Sequence, residues 1–323
     1  MNTTVVICSA NRPQILAETI DSVICGQSLP PREVIVSVFD QRHVAPKTRA
    51  HPAVRVVLSS IRGTCVQRNV AAKLVRTPYT LFLDDDVELA PSFIESMEGL
   101  LGEAEDAIAA TGFLVVDGAR GDRGLDRDLA KACALNYVRK ENNYDHEEGQ
   151  NLFVRTAIFD KVLFDENLPL YGLLEDLDFA TNCLRYGRII MNTETCFAHM
   201  ATPSGRTSGL RFGYSQIVNP FYLWRKNGKP GLPRVIFHHW LPHMAYNCRR
   251  ALIKIPSDRN DRIGRFTGNL LGFCHLLAGR IDPSYILQLS RQSGGTFTAQ
   301  AQACVSDAGG DLMRVMAGTQ HRD

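Results

Sequence analysis

The sequence predicts an α/β protein with a mostly parallel sheet flanked by helices, followed by a mainly helical C-terminal extension. Two observations lead to this prediction. Short β-branched and aliphatic runs alternate with stretches of helical periodicity, and the connections between them are short. The runs that indicate the first four strands are Thr3 to Ser9, Glu33 to Phe39, Val54 to Leu58 and Thr80 to Leu83. Strands joined through helices in this order are typical of a parallel sheet.

The helices are indicated by apolar spacing and by their start and stop residues. Pro13 suits a first helical turn, apolar residues recur at helical spacing as far as Val23, and Gly26 provides a stop. The same reasoning predicts further elements: helices at 65–75, from Pro91, at 175–186 and at 216–226, and strands at 107–116, 152–154 and 188–197. The polar segment 117–150 is expected to be a surface excursion, and 202–213 a Gly/Ser-rich loop.

The chain has 323 residues, with 36 Lys and Arg against 34 Asp and Glu, so its formal net charge is only +2. This balance argues against a general nucleic-acid coat and against an acidic disordered chain. Nine widely spaced cysteines without a CxxC pair favour a reducing compartment, and no apolar stretch approaches the length of a membrane span. We therefore expect a cytoplasmic protein.

The small net charge conceals an asymmetry along the chain. Residues 1–221 hold 22 basic and 28 acidic side chains, whereas residues 222–323 hold 14 and 6. This difference predicts one domain at 1–221 and a basic, aromatic helical extension at 222–290. Residues 291–323 contain few large apolar groups and are expected to form a disordered tail.

Three consecutive carboxylates, Asp84, Asp85 and Asp86, directly follow the apolar strand predicted before them. Such a cluster is costly unless a cation offsets its repulsion, and Mg²⁺ and Mn²⁺ prefer oxygen ligands. Ligands in open α/β sheets bind beyond the carboxyl ends of strands, where these residues lie. The cluster therefore indicates a site for a metal and a nucleotide diphosphate, although a solvated acidic turn remains the alternative.

A second acidic cluster, Glu175-Asp176 with Asp178, opens a predicted helix. Acidic residues in a first turn can serve only the helix dipole. The functional interpretation is that one of them is a general base that deprotonates an attacking hydroxyl group.

The ordered set of these features resembles the family 2 glycosyltransferases, which have the nucleotide-sugar-binding fold called GT-A. The resemblance covers about residues 1–225. It rests on a strand ending in Ser9, a strand ending in Asp40, the pair Arg68-Asn69, the run Leu83-Asp84-Asp85-Asp86 and the segment Leu174 to Phe179.

The resemblance implies roles for individual residues. Ser9, Arg12 and Asp40 would hold the nucleotide, often with uracil as its base, and Asp84 and Asp85 would lie near the donor. Asp86 and His199 would bind Mg²⁺ or Mn²⁺, and Asp176 would act as the catalytic base of an inverting transfer. For Arg68, a diphosphate contact and a structural salt bridge remain open.

The sequence differs from many members of the family in two motifs, and these differences affect the expected nucleotide contact and the expected mode of transfer. Gln41 follows Asp40 where many members have Asp-Gly-Ser, and the Gln-x-x-Arg-Trp motif of processive synthases is absent. Transfer of one sugar per encounter is therefore favoured, in the synthesis of a surface polysaccharide or glycolipid. A sugar nucleotidyltransferase and an inactive nucleotide-sugar-binding protein remain alternatives.

The expected partners are a nucleotide-sugar donor, with UDP-sugars favoured, and a sugar or lipid-linked acceptor. Between Tyr222 and Arg265, ten Lys and Arg are interleaved with aromatic and aliphatic residues. That mixture suits an anionic membrane surface, so a peripheral location on the inner face of the membrane is possible; a helical extension packed on the catalytic domain is the alternative. We expect no nucleic-acid partner.

Overall fold

A computed structural model describes residues 1–120, 126–135, 151–202, 207–228, 230–253 and 260–290. Within these ranges eight strands form one sheet in the order β3-β2-β1-β4-β7-β6-β8-β5. The strands are β1 (Thr3–Cys8), β2 (Glu33–Val38), β3 (Val54–Leu58), β4 (Tyr79–Asp84), β5 (Val87–Leu89), β6 (Ala107–Asp117), β7 (Asn151–Arg155) and β8 (Arg188–His199).

The N-terminal half of the sheet is parallel, as the sequence predicts. Strand β1 lies between β2 and β4 and is parallel to both, and β2 is parallel to β3. The apolar residues of β1, β2 and β4 are almost completely buried, which explains their continuous β-branched and aliphatic composition. The register places Cys8 beside Asp84. The loop that follows β1 and the three carboxylates that follow β4 therefore emerge side by side.

The second half of the sheet is mixed. Strand β7 is antiparallel to both β4 and β6, β6 is parallel to β8, and the end of β8 is antiparallel to β5. Four of these seven pairings are parallel, so the predicted mostly parallel sheet is confirmed. The β5–β8 register pairs Val87 with His199, and this pairing brings His199 to the carboxylates although more than a hundred residues separate them in sequence.

Six helices accompany this sheet in the described part of the chain: α1 (Pro13–Cys25), α2 (Pro46–Arg49), α3 (Thr64–Ala72), α4 (Phe93–Glu103), α5 (Arg127–Leu135) and α6 (Glu175–Cys183). Helix α5 lies in the segment expected to be a surface excursion. Its Ala130 and Ala134 are buried in apolar clusters with Ala198 and Cys196 of β8, so this part of the excursion packs on the sheet. Residues 121–125 and 136–150 lie outside the described residues.

The chain divides into two compact units, one that extends to Thr207 and one that begins at Ser208. The second unit contains α7 (Gly209–Asn227), the short α8 (Leu232–Arg234), a π-helical segment (Val235–Trp240), α9 (Leu241–Leu252), α10 (Arg262–Leu277) and a 3₁₀ segment (Pro283–Ser290). The boundary that the sequence predicted at residue 221 falls inside α7. Because α7 begins at Gly209, the loop predicted over 202–213 was wrong in its second half. The predicted tail, 291–323, lies outside the described residues.

Close approach of α7 and α10 depends on glycine. A Cβ added to Gly213 would lie 2.0 Å from the carbonyl oxygen of Arg265, and one added to Gly268 would lie 2.1 Å from that of Leu210. The buried amide of Asn269 donates to the carbonyl oxygen of Gly213 at 2.8 Å.

Among the described helices, none is long and apolar enough to cross a membrane.

We expect Gly268→Ala to destabilise the second unit by about 3 kcal/mol, because the added Cβ meets a backbone atom of α7 that cannot rotate away. Gly99→Ala is the matched control: Gly99 lies within helix α4, and its added Cβ meets nothing within 4 Å. That change should leave stability unchanged or raise it by up to about 1 kcal/mol. Urea unfolding of the full chain measures both, and equal stability of the two variants would contradict the close packing.

Candidate functional site

Asp84 is the last residue of β4, and Asp85 and Asp86 form the turn between β4 and β5. The side chain of Asp84 is one-third exposed, whereas Asp85 and Asp86 are 6% and 3% exposed. Three carboxylates so close together, two of them removed from water, require cationic or hydrogen-bonding partners. Arg68 pairs with Asp84, and Arg12 pairs with both Asp85 and Asp86.

Asp85 is held by the loop that follows β1. Ser9 donates to its Oδ2 at 2.5 Å, and the Nη1 atom of Arg12 donates to its Oδ1 at 2.8 Å. Thr19 of α1 donates to its backbone carbonyl oxygen at 2.7 Å. Burial raises the pKa of Asp85 to about 6, while Arg12 opposes that shift. Both of its carboxylate oxygens bind side chains of the protein, so Asp85 fixes the positions of Ser9 and Arg12.

Asp86 uses one oxygen to bind the protein and directs the other toward His199. Its Oδ2 accepts from the backbone N–H of Thr202 at 2.7 Å and from Arg12 at 3.2 Å. Its Oδ1 lies 3.6 Å from Nε2 of His199. Although burial disfavours the carboxylate, His199, Arg12 and Thr202 together lower the pKa of Asp86 to about 2. Asp86 is therefore a carboxylate at any physiological pH.

The other ring nitrogen of His199 reaches a residue that the sequence did not single out. Nδ1 lies 2.9 Å from Oδ1 of Asp117, the last residue of β6. The parallel β6–β8 register places the two residues side by side. Burial disfavours the imidazolium, but the hydrogen bond to Asp117 and the negative charge of Asp86 raise the pKa of His199 to about 10. The sequence showed Asp117 only as a carboxylate at the end of a predicted strand. Its contact with His199 depends on the register between β6 and β8, which the sequence does not reveal.

The arrangement fits a divalent cation. One carboxylate oxygen each from Asp84 and Asp86 and one ring nitrogen of His199 lie within 4.8 Å of one another. Ligands about 2.1 Å from one ion lie about 3 Å apart at right angles, close to the 3.6 Å between Asp86 Oδ1 and His199 Nε2. Carboxylate oxygens suit Mg²⁺ and Mn²⁺. Asp86 and His199, the two predicted metal ligands, lie in this group together with Asp84, which the sequence analysis had placed near the donor.

Arg68 binds a carboxylate in each of the two acidic clusters, Asp84 in the first and Glu175 in the second. It is 4% exposed, and its guanidinium donates to Oε1 of Glu175 at 2.5 Å and to Oδ1 of Asp84 at 3.2 Å. The guanidinium also lies over the rings of Phe82 and Phe164. Of the two roles that the sequence left open, the structure shows the salt bridge. Burial raises the pKa of Glu175 to about 8, and Arg68 opposes that shift.

Asp176 is the second residue of α6, directly after Glu175 of this ion pair, and it is partly exposed, whereas Glu175 is 7% exposed. Its Oδ1 accepts from the backbone N–H of Leu177 at 2.7 Å. The charge of Asp176 contributes to the raised pKa of both Asp84 and Glu175, which places it among the same carboxylates. Asp176 therefore lies near Asp84 and Glu175 and is more exposed than Glu175.

Strained backbone surrounds the site. Among the described residues, the non-glycine positions with positive φ are Asn11, Leu170, Leu174 and Ala201. Asn11 lies between Ser9 and Arg12, Leu174 directly precedes Glu175, and Ala201 precedes Thr202. For Leu and Ala this conformation costs about 1–2 kcal/mol per residue. Strain of this kind persists where surrounding contacts fix a loop, and it clusters at functional sites.

Asp40 lies two residues beyond the end of β2, and its side chain binds a neighbouring residue. It accepts from the backbone N–H of Arg42 at 2.9 Å and from the Arg42 guanidinium at 2.5 Å. These hydrogen bonds lower the pKa of Asp40 to about 2. A contact of Asp40 with a nucleotide base stays a prediction.

Comparison with solved structures identifies the fold. The chain is similar to residues 1–349 of S. aureus TarS, crystallised in complex with UDP-GlcNAc, with a TM-score of 0.53 and 17% identity over 87% of this chain and 83% of that chain. It is also similar to GalNAc-T7 crystallised with UDP, GalNAc and Mn²⁺, with a TM-score of 0.49 and 14% identity over 72% of this chain and 52% of that one. No curated protein matches the sequence.

The sequence model described as "Glycosyl transferase family 2" matches residues 4–163, which include β1 to β7 and the three carboxylates. The mixed α/β sheet with its flanking helices is that of the GT-A fold. Over these 160 of its 323 residues the chain matches the model of glycosyl transferase family 2, the family that its motifs resemble.

Proposed function

We propose that the protein transfers a sugar from a nucleoside diphosphate sugar to a hydroxyl group of an acceptor, with inversion at the anomeric carbon. The observation that carries the proposal is the convergence of Asp84, Asp86 and His199 beside Asp176 at the carboxyl end of β4. The match to the glycosyl transferase family 2 model supports the reaction class. TarS, whose fold this chain shares, binds UDP-GlcNAc, which favours a UDP-sugar as donor.

Asp84, Asp86 and His199 would hold Mg²⁺ or Mn²⁺. The ion, when bound, would neutralise the negative charge that develops on the departing diphosphate. Asp117 would keep Nε2 of His199 directed at the ion, because it accepts from Nδ1 of the same ring. Thr202 and Arg12 occupy Oδ2 of Asp86 and so leave Oδ1 to face the ligand cluster.

Asp176 is the general base in this proposal, and Glu175 is a positioning residue. Glu175 is buried and its Oε1 is bound to Arg68, so it is poorly placed to meet an acceptor. Asp176 is partly exposed and can take the proton of an attacking hydroxyl group. Attack on the face opposite the leaving diphosphate gives inversion in a single displacement.

The remaining site residues, Ser9, Arg12, Asp85 and Asp40, are assigned to the nucleotide end of the donor site in this proposal. Asp85 positions Ser9 and Arg12 through two short hydrogen bonds, and the loop that carries them follows β1 directly. We propose that this loop and Asp40 face the nucleotide. The acceptor is proposed to be a sugar or a lipid-linked sugar in polysaccharide or glycolipid synthesis on the cytoplasmic side of a membrane.

A panel of UDP-, GDP- and TDP-sugars with Mn²⁺ tests the proposal directly. We expect one donor to bind more tightly with Mn²⁺ than without it and to be slowly hydrolysed in the absence of an acceptor. With an acceptor present, proton NMR of the first product formed should show the anomeric configuration opposite to that of the donor. Failure of every donor to bind or react, or retention of configuration, would contradict the proposal.

Asp176→Asn should lower transfer by at least about a thousandfold and leave donor affinity nearly unchanged, because the amide cannot accept the proton of the acceptor. Asp21→Asn is a matched control, since Asp21 is an exposed acid on α1 of the same unit. Steady-state kinetics and donor titration measure the two effects separately. If Glu175→Gln abolished turnover while Asp176→Asn retained it, the roles of the two acids would be reversed.

Asp117→Asn should weaken Mn²⁺ binding by about 10- to 100-fold, because the amide no longer orients the His199 ring as a carboxylate does. Mn²⁺ titration followed by electron paramagnetic resonance measures the free ion without any need for turnover. Asp160→Asn, at an exposed acid of the same unit, should bind Mn²⁺ as the wild type does. Equal affinity in all three proteins would remove Asp117 from the site.

A further inference from the structure

The helical segment Leu232–Leu252 of the second unit exposes large apolar side chains along one side. Phe237, Leu241 and Leu252 are 63%, 53% and 79% exposed, and Ala245 and Arg249 between them are exposed as well. Successive members of this set are three or four residues apart, so they lie on one face of the helix. We call these five residues the outer stripe.

The opposite side of the same segment packs against other residues of the second unit. Val235 is fully buried, and Asn247 is 1% exposed and donates to Gln216 and Asn269 at 2.9 Å. The indole N–H of Trp240 donates to the carbonyl oxygen of Ile217 at 2.9 Å. The internal contacts of the unit thus fix the rotation of the helix, and the outer stripe cannot turn inward without breaking them.

The segment of the second unit that carries the outer stripe has charges of a single sign. Between residues 208 and 254 the sequence contains eight Lys and Arg and no Asp or Glu. Arg234 and Arg249 are exposed, and neither forms a salt bridge with a residue that the structure describes. An exposed helical face of a water-soluble surface ordinarily mixes both signs of charge and few large apolar groups, which is not the composition found here.

Apolar side chains combined with unopposed basic ones are what an anionic lipid surface recognises. An interfacial helix buries Phe and Leu at the boundary between headgroups and acyl chains, while Arg contacts lipid phosphates. A second copy of this chain is a poorer occupant. A twofold contact through the same face would place its basic residues against their own counterparts.

We propose that the outer stripe docks on an anionic lipid surface, with Phe237, Leu241 and Leu252 entering the interface and Arg234 and Arg249 contacting lipid phosphates. The inference goes beyond the proposed reaction, and it does not depend on that reaction. For an enzyme with a lipid-linked acceptor, such docking would confine the search for that acceptor to the plane of the membrane.

Sedimentation of the full-length protein with lipid vesicles tests the proposal. We expect binding to vesicles of equal parts phosphatidylglycerol and phosphatidylcholine and little binding to phosphatidylcholine alone. The binding should weaken as salt is added, because the Arg–phosphate attraction is screened. Binding that ignored both lipid charge and salt would contradict the proposed role of the arginines.

Two sets of substitutions separate the apolar and basic contributions. Arg234→Gln with Arg249→Gln should lower the partition coefficient roughly 30-fold, from about fivefold for each basic residue lost near the surface. Phe237→Ser with Leu241→Ser should reduce it at least as much. Leu129→Ser is the matched control, since Leu129 is a 49% exposed leucine on α5 of the first unit, and it should bind as the wild type does.

Circular dichroism of each variant establishes that it is folded, and Leu252→Ser, at the most exposed position of the stripe, provides an additional mild substitution.

The proposal is overturned if the wild type does not bind anionic vesicles or if the stripe variants bind as well as the control. It is also overturned if light scattering shows a dimer that the stripe variants convert to monomer, because the face would then be a subunit interface. Membrane binding is measured without donor or acceptor, so its failure would leave the proposed transfer reaction untouched.

Discussion

The concentration of carboxylates at the end of β4 is the constraint on which the site depends. Asp84, Asp85 and Asp86 cannot lie together in a largely buried turn without cationic partners. Arg68 reaches Asp84 from α3, Arg12 reaches the other two from the loop after β1, and His199 arrives from β8. The ion pairs thereby connect a helix, a loop and a strand to the carboxylates at the end of β4. The same repulsion that these partners offset would also favour a divalent cation.

Much of this arrangement could be predicted from sequence because it is local. Continuous β-branched runs revealed the strands, and carboxylates directly after a strand indicated an edge where ligands bind in α/β sheets. The order of motifs singled out Asp86, His199 and Asp176 as candidate site residues, and their roles stay predictions. The fold class was confirmed, and strand boundaries such as Val54–Leu58 agree with the structure.

What the sequence could not provide depends on long-range register. Asp117 and His199 are 82 residues apart, and only the β6–β8 pairing makes them neighbours. Arg68 and Glu175 are separated by 107 residues, so the sequence alone could not decide between a salt bridge and a diphosphate contact for Arg68. Helix α5 was missed because its buried face consists of alanines, which give a weak apolar signal. The start of α7 was missed because Gly209 and Gly213, which mimic a loop in sequence, serve close packing with the Asp261–Arg265 segment.

The central claim is that the carboxylates and His199 act on a nucleotide through a divalent cation, and one calorimetric comparison tests it most directly. UDP is titrated into the wild type and into His199→Gln, each with and without Mn²⁺. We predict that Mn²⁺ strengthens UDP binding by at least about tenfold in the wild type and that most of this gain disappears in the variant. UDP affinities that are equal with and without Mn²⁺, or a gain that survives in His199→Gln, would contradict the account.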